Sequence, residues 1–386
     1  MIKSTTWRLL LFAILFVTCK EKKEQVPQPF PEEKTEPTKI KYANGFTIET
    51  GSSYSVLKVK SPWPGSEKEF KYALIPREKL PMITLPKGAY DAIIATPVEN
   101  LVVTSTTHIP ALESLNGLEK LVGFPDTKYV SSKAARHLIS EGKIRELGSN
   151  ESLNTEVVIN LQPDVVVGFS IDNQNAAYET ISKARIPVVY NGDWTEQSPI
   201  GKAEWIKFFG ALLEKEKEAD RIFNEIEESY QKIKNLASEI SERPTVLSGA
   251  LYKDVWYLPA GESWASQFLA DANTDYLWAS TEGSGSLSLS LESVLEQGRT
   301  ADFWISPSQF TSYSEMQEAS SHYTEFDAFQ NQKVYTFAAT KGETGGLLYY
   351  ELAPQRPDLV LKDLVHIFHP EVLPEHEPYF FTPLQK

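Results

Sequence analysis

Between residues 215 and 240 the chain places Ala219, Ile222, Phe223, Ile226, Tyr230, Ile233 and Ala237 at steps of three and four, mostly charged residues between them, with no proline or glycine. That spacing predicts one unbroken amphipathic helix of about 24 residues, roughly 36 Å long, the width of a small domain. A different pattern lies on each side of it. Before it, Leu101–Thr104, Lys120–Gly123, Asp164–Gly168 and Ile186–Tyr190 are short continuous apolar runs, the kind buried on both faces of a sheet. Candidate helices at 131–141, 154–162 and 173–184 separate them. After Pro244 the alternation resumes with Thr245–Ser248, Val255–Tyr257, Ala301–Ile305 and Lys333–Phe337, and an amphipathic helix from Pro357 to Phe368 closes the series. Alternating strands and helices predict parallel sheets with right-handed crossovers. The fold class is therefore α/β: two Rossmann-like lobes with central parallel sheets, residues 40–212 and 243–386, joined by a backbone helix over 213–242. A chain of 386 residues also exceeds one compact core. The first lobe opens on a β-rich segment, where Tyr42, Phe46, Ile48, Tyr54, Val56, Leu57 and Val59 fall between Gly45, Gly51 and the Pro62–Gly65 break.

The N-terminus carries an address. Lys3 and Arg8 precede the apolar run Leu9–Val17, too short to span a bilayer, and the only cysteine, Cys19, stands where that run stops. Residues 1–18 resemble a lipoprotein signal peptide whose lipidation site is Cys19; an ordinary secretory signal with an incidental cysteine is the alternative. Residues 19–39, charged and proline-rich with little to bury, are expected to form a disordered tether. The remaining composition excludes several classes. A net charge of -14 argues against nucleic acid as a partner. One cysteine and six histidines without close pairing leave no basis for a protein-held metal centre.

The two halves echo each other at one place. Asn154-Thr-Glu156 opens a candidate helix ahead of Asp164, and Ser290-Leu-Glu292 opens another ahead of Asp302. Asn154 and Ser290 are good N-caps, and a first-turn carboxylate gains about 0.3–1 kcal/mol from the helix dipole. That accounts for each glutamate singly; their equivalent placement in two lobes suggests more.

Signal, tether, lobe, long helix and second lobe, in that order, resemble the helical-backbone (class III) periplasmic substrate-binding lipoproteins of ATP-driven importers for iron siderophores, haem and vitamin B12. The stretches that carry the resemblance are Val102–His108, Lys120–Gly123, Glu156–Val167, Pro259–Trp264, Ser290–Val294 and Ala301–Ile305. It implies a monomeric carrier, not an enzyme, with a ligand cleft between the lobes. The cargo would be a metal chelate, a ferric siderophore first and a corrinoid or haem as alternatives, with no intrinsic cofactor. The partner would be an ABC permease dimer with its ATPase, docked by Glu156 and Glu292. The place would be the cell envelope, lipid-anchored at a membrane or the cell surface. Cleft candidates are Thr106, His108, Tyr129, Phe169, Asp193 and Trp194 from the first lobe, with Tyr252 and Trp256 from the second. Each aromatic has core packing as its alternative. Lys128, Lys133 and Arg136 could draw in an anionic chelate or merely solvate a helix face.

Enzyme signatures are absent. There is no GxGxxG or GxxxxGK[ST], Gly283–Ser286 lacks the GxSxG spacing, and Gly342–Gly346 reads as a loop. A surface glycan hydrolase is the reading from a different class, without a carboxylate pair to support it.

Overall fold

In the computed structural model the stripe at 219–237 lies on one helix, Glu216–Ser238, with Ala219, Phe223, Ile226, Tyr230, Ile233 and Ala237 all buried. Its first turns pack on the helix Ile206–Leu213, and Tyr42 meets Phe223 at 6.2 Å. Further along, Tyr230 packs near Phe268 at 6.2 Å and donates to Asp271 at 2.7 Å, while the helix Pro357–Phe368 runs beside it. Each large side chain so covered stabilises the fold by about 1.5–3 kcal/mol. The rod is thus fixed to both lobes by a single stripe. The structure describes residues 35–172 and 175–386; the expected signal peptide, Cys19 and most of the tether lie outside them.

The first lobe centres on a five-stranded, all-parallel sheet in the order Val188–Tyr190, Val165–Gly168, Leu101–Val103, Leu121–Phe124, Arg145–Glu146. The second lobe repeats the plan with Asp275–Tyr276, Thr245–Ser248, Phe303–Ile305 and Val334–Thr336 in parallel, and Thr382–Pro383 antiparallel at the edge. Asp164 and Asp302 do the same work in each: Asp164 accepts the amides of Glu99 and Asn100 and pairs with Arg77, and Asp302 accepts the amide and hydroxyl of Thr245. Both carboxylates therefore tie down the chain where a lobe's first strand begins.

Two expectations need correction. Val255–Tyr257 is not part of the parallel series. Ala250–Tyr252 and Val255–Pro259 form a hairpin turned at Lys253, which has φ +56°, and Ser286–Leu289 completes a separate antiparallel sheet. The tether also ends before residue 39, because Glu36–Pro37 pairs antiparallel with Phe46–Thr50. Behind it, Phe46–Thr50, Ser55–Lys60 and Glu69–Pro76 form a meander, and Ala92–Thr96 joins in parallel. Phe46 of this sheet packs on Trp205 at 4.6 Å, which fuses the leading segment to the core.

Buried carboxylates hold segment 41–45 and the C-terminal tail. Glu204, fully buried, accepts the amides of Lys41, Tyr42 and Ala43 at 2.7–3.0 Å and pairs with Lys207 at 3.0 Å. Glu196 accepts the amides of Asn44 and Gly45 at 2.8 Å. At the other end Asp363 accepts those of Tyr379, Phe380 and Phe381. Replacing Glu204 with Ala leaves three amides unpaired and Lys207 with Asp220 and the Lys39 carbonyl. The expected loss is about 3 kcal/mol of unfolding free energy in urea titration, and a loss below about 1 kcal/mol would show that segment 41–43 is held by other means.

Candidate ligand cleft

Loops leaving the carboxyl ends of parallel strands are where α/β folds place ligands. In the first lobe those loops hold Ser105 and Thr106 after Leu101–Val103, Pro125 and Asp126 after Leu121–Phe124, and Phe169 after Val165–Gly168. Together with Tyr129, Asn150 and Glu151 they wall a cavity of about 510 Å³, and Gln309, Gly345, Gly346, Leu347 and Tyr350 of the second lobe wall its far side. Polar bonds set this wall. The Thr104 hydroxyl accepts the Phe169 amide at 2.9 Å, Tyr178 donates to the Phe169 carbonyl, and Asn150 donates to the Thr104 carbonyl. Gln309 and Tyr350 are shared with a second cavity of about 340 Å³ in the second lobe, lined by Tyr252, Tyr257, Trp264, Phe337 and Tyr349 among others.

The lobes touch beside this cavity. Ser131 donates through its hydroxyl to the Gly346 carbonyl at 3.1 Å, and Thr344 to the Lys128 carbonyl at 2.7 Å. A Cβ on Gly346 would stand 2.2 Å from the Tyr129 carbonyl oxygen, and one on Gly342 2.7 Å from Ser131 Cα. Only glycine permits that approach. Glu351, from the helix Leu348–Leu352, accepts the amides of Ser131 at 2.6 Å and Ser132 at 2.8 Å, at the start of the first-lobe helix Lys133–Ser140.

Of the residues chosen from sequence, Thr106, Tyr129 and Phe169 stand together on the first cavity, and Tyr252 on the second. Trp194 meets Phe169 edge-on at 5.5 Å and borders an adjoining groove. His108, Asp193 and Trp256 do not line the cleft. His108 is fully buried against Phe209, 5.5 Å away, because it opens the helix His108–Ser114 facing inward; burial holds its imidazole below its usual pKa. Asp193 is buried in a short 3-10 turn, its amide bonded to Asn191. Trp256 is fully buried on Trp304 at 5.3 Å and donates to the Ser248 carbonyl. Strand parity decides this last case: Trp256 and Leu258 point inward, and Tyr257 points out to the cavity. Glu156 and Glu292 are exposed in the first turns of Thr155–Leu161 and Leu291–Gly298, behind the expected caps Asn154 and Ser290.

Asp126 was within reach of sequence reasoning, since it follows a strand as Thr106 and Phe169 do. Asn150, Glu151 and Tyr350 carried no local signal. The Gly342–Gly346 loop read as plain punctuation, although its glycines are the contact between lobes.

The periplasmic binding protein family model matches residues 101–340, which takes in most of both sheets and the rod between them. The chain belongs to that family. Its members are binding proteins, so the hydrolase alternative falls away. An uncharacterised lipoprotein of Methanocaldococcus jannaschii is 26% identical over 298 residues, covering 75% of this chain and 69% of its own length. A possible iron-binding periplasmic solute-binding protein from Staphylococcus epidermidis matches with a TM-score of 0.55 at 18% identity, over 71% of this chain and all of that one. The periplasmic vitamin B12 binding protein of Vibrio cholerae gives a TM-score of 0.51 at 12% identity, over 72% of this chain and 99% of its own. At these identities the solved structures share the fold alone.

Glu351 gives the contact between lobes a pH dependence. Burial pushes its carboxyl up from 4.5 to about 7, the two amides pull it back, and the nearby Glu113 carboxylate adds to the rise. A carboxyl with a raised folded-state pKa favours the folded protein when protonated. Its contribution is complete below 4.5 and is lost as pH climbs through 7. The melting temperature of the wild type relative to Glu351→Gln is therefore expected to fall between pH 4.5 and 7. Parallel melting-temperature curves for the two proteins across that range would rule this out.

Proposed function

We propose that this protein is a lipid-anchored carrier that captures a metal chelate, a ferric siderophore in the first place, and hands it to the permease dimer of an ABC importer. The observation that carries the reading is the cavity of about 510 Å³ walled by both lobes, with the aromatic residues Tyr129, Phe169 and Tyr350 and the polar residues Thr106 and Gln309 in its lining. A large, flat, chelated ligand suits a preformed aromatic cleft with few polar anchors. The metal would arrive already coordinated. A corrinoid or haem is the second reading, since vitamin B12 and haem binding proteins both stand among the structural relatives. The family match and the lipoprotein relative support a place in the cell envelope, with Cys19 as the lipidation site; no helix among the described residues is long and apolar enough to cross a membrane.

Quenching of tryptophan fluorescence by ferric siderophores, cyanocobalamin and haemin tests the reading directly. Tyr129 is 55% exposed, so Tyr129→Ala alters no core packing. Tyr129→Ala and Phe169→Ala are each expected to weaken the bound chelate about tenfold, from the loss of ring contact worth about 0.5–1.5 kcal/mol plus its buried area. Unchanged affinity in both would remove the cleft from the account.

Glu156 and Glu292 supply the docking contacts in this proposal. Two carboxylates on rigid helix ends meet two guanidinium groups in one orientation only. The double Ala variant is expected to abolish import in cells while chelate affinity stays at the wild-type value. Import at the normal rate would refute the docking role.

A further inference from the structure

We infer that the cleft accepts chelates of zero or positive net charge and discriminates against anionic ones. This rests on the carrier reading above and adds the charge class of the cargo. Among the described residues lining the two connected cavities, the charged side chains are Asp126 and Glu151, both acidic and both on the first cavity.

None of the described cations nearby is itself part of the lining of either cavity. Lys128 lies 3.3 Å from Asp126 and over the Tyr129 ring, Arg136 donates to the Thr127 carbonyl at 2.6 Å, and Lys133 lines a separate groove beside Glu351. Lys202 is buried beneath Trp264 and donates to the carbonyls of Asp193 and Trp194. Lys253 sits over the ring of Tyr252, at the rim, and Lys60 pairs with Glu69 beyond Trp194. The start of the helix at His108 contributes only the partial charge of a helix end, about half a unit. Two carboxylates, one of them paired, outweigh it. A chelate with three negative charges would enter against Glu151 and meet no guanidinium or ammonium group among the described residues lining either cavity. A neutral or cationic complex meets Asp126, Glu151 and ring faces, which attract cations as well.

The full-length protein is titrated with four probes: a neutral ferric trishydroxamate, cyanocobalamin, a ferric tris-catecholate of charge three minus, and haemin. The expected result is binding of one of the two neutral probes at least tenfold tighter than the tris-catecholate and haemin. In the Asp126→Asn, Glu151→Gln double variant the ratio between neutral and anionic probes is expected to shrink at least threefold, with Lys128 released. Asn tolerates the left-handed backbone that Asp126 adopts at φ +49°, and Glu151 is exposed, so the variant keeps the fold; circular dichroism checks this. An anionic probe bound as tightly as the neutral ones, or a ratio unmoved by the double variant, overturns the inference while leaving the carrier reading intact. Binding of none of the four probes overturns both.

Discussion

One buried stripe holds the molecule in its shape. Ala219, Phe223, Ile226, Tyr230, Ile233 and Ala237 lie on a single helix face, and the two lobes share that face between them, Tyr42 and the helix Ile206–Leu213 at one end, Phe268 and Pro357–Phe368 at the other. A helix of 23 residues resists bending because every turn is hydrogen-bonded to the next. The sheets on either side are thereby held at a fixed spacing. On the other side the lobes meet through Glu351, Thr344 and the Gly342–Gly346 loop.

The same device closes several parts of the fold: a carboxylate gathering main-chain amides, buried at Glu204, Glu196 and Asp363 and nearer solvent at Asp164 and Asp302. Glu204 and Glu196 fasten the leading segment, Asp363 the C-terminal tail, and Asp164 and Asp302 the first strands of the lobes. Their surroundings differ. Glu204 faces Lys207, Asp363 faces His376, and Asp164 faces Arg77. Glu351 faces two amides and, in Glu113, another carboxylate, so burial dominates and its carboxyl rises to about 7. The contact between the lobes is thus a place where this shared device is sensitive to protonation near neutrality.

In the carrier reading proposed above, recognition would follow from what lines the cleft: aromatic side chains from both lobes for area, a few hydroxyl and amide groups for direction, and the two acidic side chains of the first-lobe wall for the sign of charge. The leading β-sheet belongs to this arrangement as well. It is packed through Phe46 and Trp205 into the core and reaches, at Trp63 and Ser66, the groove that continues past Trp194.

Local periodicity was enough to determine the rod, most strands of the two parallel series, the N-caps at Asn154 and Ser290 and the α/β class, because each leaves its mark on residues a few positions apart; the order of the strands within each sheet came only from their pairing. Thr106 and Phe169 were legible for a related reason: a loop after a parallel strand lies at the mouth of the fold wherever its neighbours are. Trp256 and Tyr257 show the limit. A continuous apolar run gives no parity, so only the hairpin with Ser286–Leu289 decided which ring went into the core and which faced the cavity. His108 and Asp193 failed likewise, since burial depends on the helices packed above them. Glu351 and Gly346 were invisible in sequence because their partners, Ser131 and Tyr129, lie more than 200 positions away in the chain and become neighbours only when the lobes meet.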